Sequence, residues 1–498
     1  MPSNDLSTLN NKNRLKFLFK DTFLYGVSTS LSRAVSLITF PLLARSFSVE
    51  EYGLIDLFLF FSSFLAIFLV FGQDSAVARF FYEYKDEENR KQLISQSLAI
   101  QFLLILIVLP SVYFFSSAIS SLLSVHEKAE TIFLLNLLQV PCMVLVNFSQ
   151  NLLKWTFSRK KFLFISLGSV FSYMMLIVIG ILYLKMEVEG VFICALISQI
   201  VFGVTGIFFI KKWLVIPKNF YFLKDLVPYA IPFGIICALS SFMPTVERSL
   251  VDSFLGATEL GLYAAGAKVA MLLTLVIQAF QTAWGPFSLS IHKEADAAKT
   301  YNVVLKVFAA LVCVSVFFLS AFAEPVINIL ASDRFSGASI VVFPLAMGLA
   351  IQSIGWITEI GIGLSKKSYL NLYSYFAFFV FTLGGIYILA PHMGILGVGI
   401  AVMLGQIVKS IIATYFSFRA YQLDWKYAPV LIFVILNIIL GFLSLYLRIQ
   451  YPLKNLMFID LSILSILLFS AYLFVLSSNE RLVVVSGVSS LLKNLKAK

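Results

Sequence analysis

Two positively charged residues, Arg33 and Lys268, lie deep inside long apolar stretches of the sequence. Arg33 falls about thirteen residues into its stretch and Lys268 about ten residues into another, which corresponds to ~20 Å and ~15 Å along a helix. A charge at that depth is costly in a membrane, so it faces a cavity or a partner. Guanidinium and ammonium groups bind phosphate-type anions. The pair therefore predicts an anion-binding site, although a structural ion pair or snorkelling would also explain each residue.

Other polar residues in the apolar stretches form two weaker groups of candidates. The further candidates for substrate binding are Arg248, Lys409, Gln278 and Gln281. The candidates for gating or ion coupling are Asp74, Arg79, Glu247, Asp252 and Glu359. A structural salt bridge or a helix cap would explain Glu247 and Arg248 as well as a site does. Packing between helices would likewise explain the two glutamines.

The elements that must position these residues are transmembrane helices. Of the 498 residues, 60% are hydrophobic and only 13% are charged, whereas a soluble domain has ~25% charged residues. One crossing needs ~20 apolar residues, and barrel strands would alternate in hydrophobicity instead. We therefore predict an all-α polytopic membrane protein with about fourteen spans. They cover roughly residues 20–44, 52–78, 92–118, 130–153, 162–184, 189–210, 226–250, 258–285, 300–323, 337–362, 369–390, 394–418, 428–447 and 455–477.

No pattern in the sequence predicts catalysis, a metal site or a cofactor. The three histidines, His126, His292 and His392, are far apart in predicted loops. The four cysteines all lie inside predicted helices without metal-ligand spacing, as small apolar core residues do. A glycine-rich phosphate loop with lysine is absent from the sequence. We predict that the chain is not an enzyme, and that an ion gradient (protons or sodium), mass action or consumption of the product provides any driving force.

Most of the 37 lysine and arginine residues fall in alternate connections between the predicted spans. Short cytoplasmic loops of membrane proteins are enriched in these residues, so the pattern predicts that both termini are cytoplasmic. The net charge of +11 is thus explained by membrane orientation and does not predict a nucleic acid partner.

The sequence contains an internal duplication. Glu51-Tyr52-Gly53-Leu54 and the later Met186…Gly190 recur roughly 207 residues downstream as Glu259-Leu260-Gly261-Leu262 and Met393…Gly397. Spans 1–6 and 7–12 are therefore two copies inserted the same way up. The predicted domains are an N-lobe over 1–212, a cytoplasmic linker over 213–225, a C-lobe over 226–420, and two appended helices with a cytoplasmic tail over 421–498.

Three segments resemble one known family, the polysaccharide-repeat-unit flippases of the Wzx type. The segments are Phe40-Pro41-Leu42-Leu43-Ala44-Arg45 with Ser48-Val49-Glu50-Glu51-Tyr52-Gly53; Ala78-Arg79-Phe80-Phe81-Tyr82-Glu83; and Glu247-Arg248…Val251-Asp252…Leu255-Gly256…Glu259-Leu260-Gly261-Leu262-Tyr263. The resemblance covers about residues 15–420. It extends to the superfamily of multidrug, oligosaccharidyl-lipid and polysaccharide exporters, which includes peptidoglycan-precursor flippases.

The resemblance implies a MATE-like fold of two lobes around a V-shaped central cavity. It also implies a substrate, undecaprenyl pyrophosphate carrying an oligosaccharide for O-antigen, capsule or exopolysaccharide, with membrane lipid and a polysaccharide polymerase as partners. The expected location is the bacterial inner membrane. One alternative is a cation-coupled multidrug pump on the same fold, which would favour acidic residues at midplane. Another is a membrane-embedded glycosyltransferase or polymerase, against which the short outer loops argue.

Overall fold

The computed structural model describes residues 38–450 and 463–468, apart from positions 85, 293, 295, 366 and 368. Within these residues the regular structure is helical throughout, and no strand occurs. The predicted all-α class is therefore confirmed. Among the residues that the structure describes, eleven helices are long and apolar enough to cross a membrane.

The helices are numbered here from the first one whose two ends are described. In the first half they are α1 (Val49–Val70), α2 (Gln73–Phe81), α3 (Glu87–Phe114), α4 (Ser116–Leu123), α5 (Ala129–Trp155), α6 (Arg159–Val178), α7 (Val188–Ile210) and α8 (Leu223–Leu255). In the second half they are α9 (Ala257–Ala270), α10 (Leu273–Ile291), α11 (Ala297–Ala321), α12 (Ala323–Leu330), α13 (Ser339–Thr358), α14 (Ile360–Leu364), α15 (Leu370–Ala420) and α16 (Ala428–Gln450).

The predicted spans agree with these helices to within a few residues wherever both ends are described. The 51-residue α15 contains the two predicted spans 369–390 and 394–418, since its backbone leaves the helical region at Gly394, where φ is 60°. The predicted spans 20–44 and 455–477 fall mostly outside the described residues. The total of fourteen spans therefore stays a prediction.

A capping box explains why α1 begins where it does. The backbone N–H of Glu51 donates to the Ser48 hydroxyl at 3.1 Å, and the N–H of Ser48 donates to the Glu51 carboxylate at 2.9 Å. These bonds satisfy two amides that a helix start leaves without partners. Part of the repeated Glu-Tyr-Gly-Leu motif is therefore a helix-start signal.

Contacts divide the described residues into two compact units. The first runs to Ser249 and includes Gln278–Ala283, and the second comprises Leu250–Ile277 and the residues from Trp284 onward. In the first unit α5 packs most extensively on α7, and in the second α13 packs most extensively on α15. These are spans 4 and 6 of one copy and spans 10 and 12 of the other, so both copies use the same helix pair. The boundaries predicted for the lobes and the linker stay predictions.

Small residues bring the paired helices together. In the first unit Gly203 approaches the backbone of Cys142, and in the second Gly348 approaches the backbone of Met403. Small residues are favoured at such contacts because helices in lipid associate mainly by close packing. Outside the spans, Lys128 at the start of α5 pairs with Glu187 and, at 3.6 Å, with Glu189 at the start of α7. The hydrogen bond between Lys128 and Glu187 raises the pKa of the lysine and lowers that of the carboxyl.

The second predicted span is a broken helix. Helix α1 ends at Val70, Phe71 and Gly72 adopt left-handed conformations with φ of 44° and 71°, and α2 begins at Gln73. A Cβ atom on Gly72 would lie 2.6 Å from the carbonyl oxygen of Ala230 on α8. Both the backbone angle and the close approach to α8 therefore require glycine at this position.

Gly72→Ala is expected to lower the free energy of unfolding by at least about 2 kcal/mol. A left-handed conformation costs an L-residue about 1–2 kcal/mol, and the clash with the Ala230 backbone adds to that cost. Unfolding of the purified protein in detergent would measure the change. Gly384→Ala is the matched control, because a Cβ there meets open space inside a helix, and it should be neutral or slightly stabilising. Equal stability of the Gly72 variant and the wild type would contradict the prediction.

The segment that follows α7 is bound to the start of α3. The backbone N–H groups of Val215, Lys218 and Phe222 donate to Ser95, Gln92 and Gln96 at 2.9, 3.1 and 3.2 Å. Amide and hydroxyl groups of α3 thus satisfy a stretch of backbone that has no regular structure of its own.

Candidate functional site

The structure describes one of the two cations that are predicted to bind the anion. Arg33 lies outside the described residues. Lys268 lies near the middle of the apolar segment Ala257–Gln278 and is half-buried. That segment is interrupted at Met271 and Leu272, between α9 and α10. A half-buried lysine at mid-segment has the depth that the sequence predicts for an anion-binding residue.

Arg248 is held in a buried ion pair with Asp56. The guanidinium Nε lies 2.6 Å from the Asp56 carboxylate, and the two side chains are only 3% and 2% exposed. The guanidinium also donates to the carbonyl of Pro244 at 3.1 Å and lies 3.8 Å from the centre of the Phe60 ring. These contacts join α8 to α1 inside the first unit. Arg248 is therefore positioned by three neighbours, and its predicted role in substrate binding stays a prediction.

Two more acidic side chains of α8 are buried near that arginine in sequence. Glu247 precedes Arg248, and Asp252 follows one turn later in the second unit; each is 6% exposed. Buried acids in a span are costly unless they are compensated. The contacts within each unit do not test whether Glu247 and Asp252 act in gating or ion coupling, so these roles stay predictions.

The second unit contains an ion pair of the same kind. The Lys409 ammonium lies 3.1 Å from the Glu359 carboxylate, and their side chains are 0% and 10% exposed. The ammonium also lies 4.7 Å from the centre of the Tyr375 ring. The structure thus brings together two residues that the sequence predicted separately, one for substrate binding and one for coupling.

Hydroxyl groups continue from this pair along the contact of α13 with α15. The Thr358 and Thr414 hydroxyls lie 2.7 Å apart. The Ser417 hydroxyl donates to the Thr358 carbonyl at 2.7 Å and accepts from the N–H of Gly361 at 3.1 Å. Direct contacts of this kind fix Glu359, which lies at the end of α13, against α15.

Of the remaining candidates, the two glutamines bond to each other, whereas Asp74 and Arg79 lie in different surroundings. Gln278 and Gln281 lie on one face of α10, with the Nε2 of the first donating to the Oε1 of the second at 3.0 Å. Arg79 pairs with Glu83 at 3.5 Å and lies 5.3 Å from the centre of the Tyr229 ring. Asp74 lies instead on the first turn of α2, where it lines a pocket.

Sequence reasoning missed Asp56, which is the partner of Arg248. The signal was present, since Asp56 is a lone acid within the apolar run Leu54-Ile55-Asp56-Leu57-Phe58. It also missed the buried amides Gln101 and Asn136, which lie inside apolar helices. Isolated polar residues of this kind are signals by themselves, because lipid does not tolerate them.

Residues 18–292, more than half of the chain, match the family of polysaccharide biosynthesis proteins. This chain belongs to that family. The predicted family resemblance is thereby confirmed. The region matched to the family includes Arg33, Arg248 and Lys268.

One sequence relative and two solved structures are also similar to this chain. A Haemophilus influenzae protein described as an uncharacterized membrane protein is 24% identical over 287 residues, which is 56% of this chain and 67% of that protein. The solved structure of the lipid II flippase MurJ in an inward closed conformation superposes with a TM-score of 0.69 at 19% identity, over 91% of this chain and 98% of that one. An inward-facing multidrug resistance MATE transporter of the MOP superfamily gives 0.56 at 17% identity, over 80% and 94%. The two structural matches show that this member of the polysaccharide biosynthesis family has the fold of those transporters.

Proposed function

We propose that this protein is a flippase for undecaprenyl-pyrophosphate-linked oligosaccharide repeat units. It would carry them from the cytoplasmic to the outer leaflet of a bacterial inner membrane, with both termini in the cytoplasm. The observation that carries the proposal is the match to the polysaccharide biosynthesis family over residues 18–292, a region that includes both predicted anion-binding cations. The likeness in fold to a lipid II flippase is consistent with a lipid-linked substrate.

In the proposed mechanism, residues of the spans bind the polar head group while the polyprenyl tail stays in lipid. Arg33 would make forked hydrogen bonds to the pyrophosphate, and Lys268 would add a point charge. The amides of Gln278 and Gln281, which lie on one face of α10, would bind sugar hydroxyls. Alternating access would then move the head group, and a polysaccharide polymerase would use the product on the outer side.

A multidrug extrusion pump is the second candidate, because the fold also matches a multidrug resistance MATE transporter. Such a pump needs acidic groups that a cationic drug can reach. In the described spans, Asp56 and Glu359 each already hold a buried arginine or lysine. These two acids are therefore disfavoured as drug-binding groups, and a pump would depend on Asp74, Glu247 or Asp252 instead.

Lys268→Ala and Arg33→Ala are each expected to reduce surface polysaccharide by roughly tenfold to hundredfold. Hydrogen bonds to charged groups contribute about 1.5–3 kcal/mol, which corresponds to that range in affinity. Surface polysaccharide and lipid-linked oligosaccharide on the inner leaflet would be measured in cells that depend on the variant. The lipid-linked intermediate should accumulate as the polymer falls.

Lys299→Ala is a suitable control, since Lys299 is an exposed lysine in the first turn of α11. It should leave polysaccharide levels unchanged. Normal polysaccharide in both test variants, with the protein present in the membrane at wild-type levels, would refute the proposed cationic site. Rescue of drug resistance in place of polysaccharide would support the pump instead.

A further inference from the structure

A small polar pocket lies beside the break between α1 and α2. Its cavity volume is about 10 Å³, and the side chains that line it include Asp74, Ser97, Gln101, Asn147 and Asn151. All of them belong to the first unit. Each of these side chains carries an oxygen atom, and oxygen atoms are the ligands that hard cations prefer.

One of these oxygen atoms is buried without a partner. Gln101 is only 2% exposed, and its Oε1 makes no hydrogen bond to any residue of the described part of the chain. A buried amide oxygen left in this way costs about 1–3 kcal/mol, so it calls for a ligand. Asn151 uses its Nδ2 to donate to the Asn147 Oδ1 at 2.8 Å, which leaves its own Oδ1 as an acceptor. The Ser97 hydroxyl donates to Gln73 at 2.9 Å and keeps lone pairs for a cation.

The broken helix adds negative potential to the same place. Val70, the last residue of α1, lines the pocket. The final carbonyl groups of a helix lack the next turn of N–H donors and carry a partial negative charge. In transporters, interrupted helices contribute such carbonyl ends to bound Na⁺ or H⁺. The left-handed residues Phe71 and Gly72 create this end within the span.

The charge balance favours a monovalent cation. Among the described residues that line the pocket, Asp74 is the only acid, and there is no histidine or cysteine. Calcium sites use several carboxylates, and transition metals favour nitrogen and sulfur ligands. Lys154, on the last turn of α5, is close enough to interact electrostatically with Asp74. A site with one carboxylate, whose charge a lysine partly offsets, favours a monovalent cation over a divalent one.

We propose that this pocket binds a sodium ion, with Asp74 supplying the charge and Gln101, Ser97 and Asn151 supplying neutral oxygen ligands. The ion would fill the position that the buried Gln101 oxygen faces and would rest against the end of α1. The break in the span is then a consequence of the site, because an uninterrupted helix would hide those carbonyl groups in hydrogen bonds.

Binding of ²²Na⁺ to the purified full-length protein in detergent or nanodiscs tests the site directly. The wild type should bind one equivalent saturably, with displacement by unlabelled Na⁺ and not by choline at equal ionic strength. Asp74→Asn and Gln101→Leu should each weaken binding at least about tenfold, since the first removes the negative charge and the second removes an oxygen ligand. Lys154→Gln should tighten binding, because it removes the competing positive charge.

Glu83→Gln is the matched control, because Glu83 is an exposed acid just beyond α2 that pairs with Arg79. It should bind Na⁺ as the wild type does. Thermal unfolding of each variant verifies that the fold is retained, and Gln101→Leu provides an independent test if Asp74→Asn unfolds. Absence of saturable binding by the wild type, or unchanged binding by a folded Asp74→Asn variant, would overturn the proposal. Proton uptake by a wild type that does not bind Na⁺ would overturn it as well.

The sodium site goes beyond the proposed function and does not rest on it. Binding is measured on purified protein, whereas the flippase proposal is tested by polysaccharide in cells. A protein that binds Na⁺ but does not export polysaccharide would leave the site intact and remove the flippase. A protein that exports polysaccharide but does not bind Na⁺ would contradict only the sodium proposal.

Discussion

Replacing Arg248 with methionine is expected to lower the free energy of unfolding by about 3–5 kcal/mol. The change leaves the Asp56 carboxylate, which is 2% exposed, buried without its counter-ion, and removing one partner of a buried pair costs about that much. Equilibrium unfolding in mixed detergent micelles would measure the loss. Asp56→Leu alone should be destabilising to a similar extent, because it leaves the guanidinium of Arg248 buried.

The double variant Asp56→Leu with Arg248→Met separates the pair from its surroundings. Replacing both partners of a buried ion pair by apolar residues is often close to neutral, so most of the loss should be recovered. A double variant whose destabilisation equals the sum of the two single changes would contradict a direct interaction. A stable double variant that no longer exports polysaccharide would show that the pair serves transport.

Glu359→Gln is expected to destabilise the second unit by about 3–5 kcal/mol, and by more than Lys409→Met does. The Lys409 ammonium is completely buried, and without Glu359 it keeps no acid within ion-pair distance among the described residues. In Lys409→Met, the group left without its partner is the Glu359 carboxylate, whose side chain is 10% exposed and so less completely buried than the ammonium. Unfolding of both variants under the same conditions would measure the difference.

Lys367→Ala serves as the control for loss of a lysine, since Lys367 is an exposed loop residue after α14. It should change the free energy of unfolding by less than about 0.5 kcal/mol. Equal destabilisation by Glu359→Gln and Lys409→Met, or a larger effect of the lysine change, would show that burial of the ammonium does not decide the energetics of this pair.

Helix positions could be predicted from the sequence because the membrane simplifies the problem. A span must be apolar over ~20 residues and must satisfy its backbone internally, so length and hydrophobicity suffice to find it. The predicted segment 189–210 and the observed Val188–Ile210 differ by a single residue. The helix pair formed by α5 and α7 recurs as α13 and α15 in the second unit, which agrees with the duplication that the sequence predicts.

The partners of the buried charges could not be predicted in the same way. Arg248 and Asp56 are 192 residues apart and Lys409 and Glu359 are 50 apart, so contact depends on how helices rotate and pack. Sequence gives the depth of a residue along its helix but not the neighbour that its side chain meets. Arg248 was therefore predicted to bind substrate, whereas its partner Asp56 became apparent only from the packing of α8 on α1.

Interruptions within spans were also beyond sequence reasoning. The breaks at Phe71-Gly72 and at Met271-Leu272 both fall in apolar runs that hydropathy treats as continuous. Glycine occurs at one of the two, but many other glycines of the chain lie in unbroken helix. What distinguishes Gly72 is its close approach to α8, which is a tertiary property.

The hydrogen bonds between residues 215–222 and α3 bear on how the gene could be divided for co-expression of two fragments. A cut between Val215 and Phe222 would sever a segment that is anchored through Gln92, Ser95 and Gln96. A cut at the boundary between the two compact units would fall inside α8, between Ser249 and Leu250. Fragments that reassemble should therefore be divided at the bond between Phe222 and Leu223, so that the anchored segment stays with α3 and α8 stays whole.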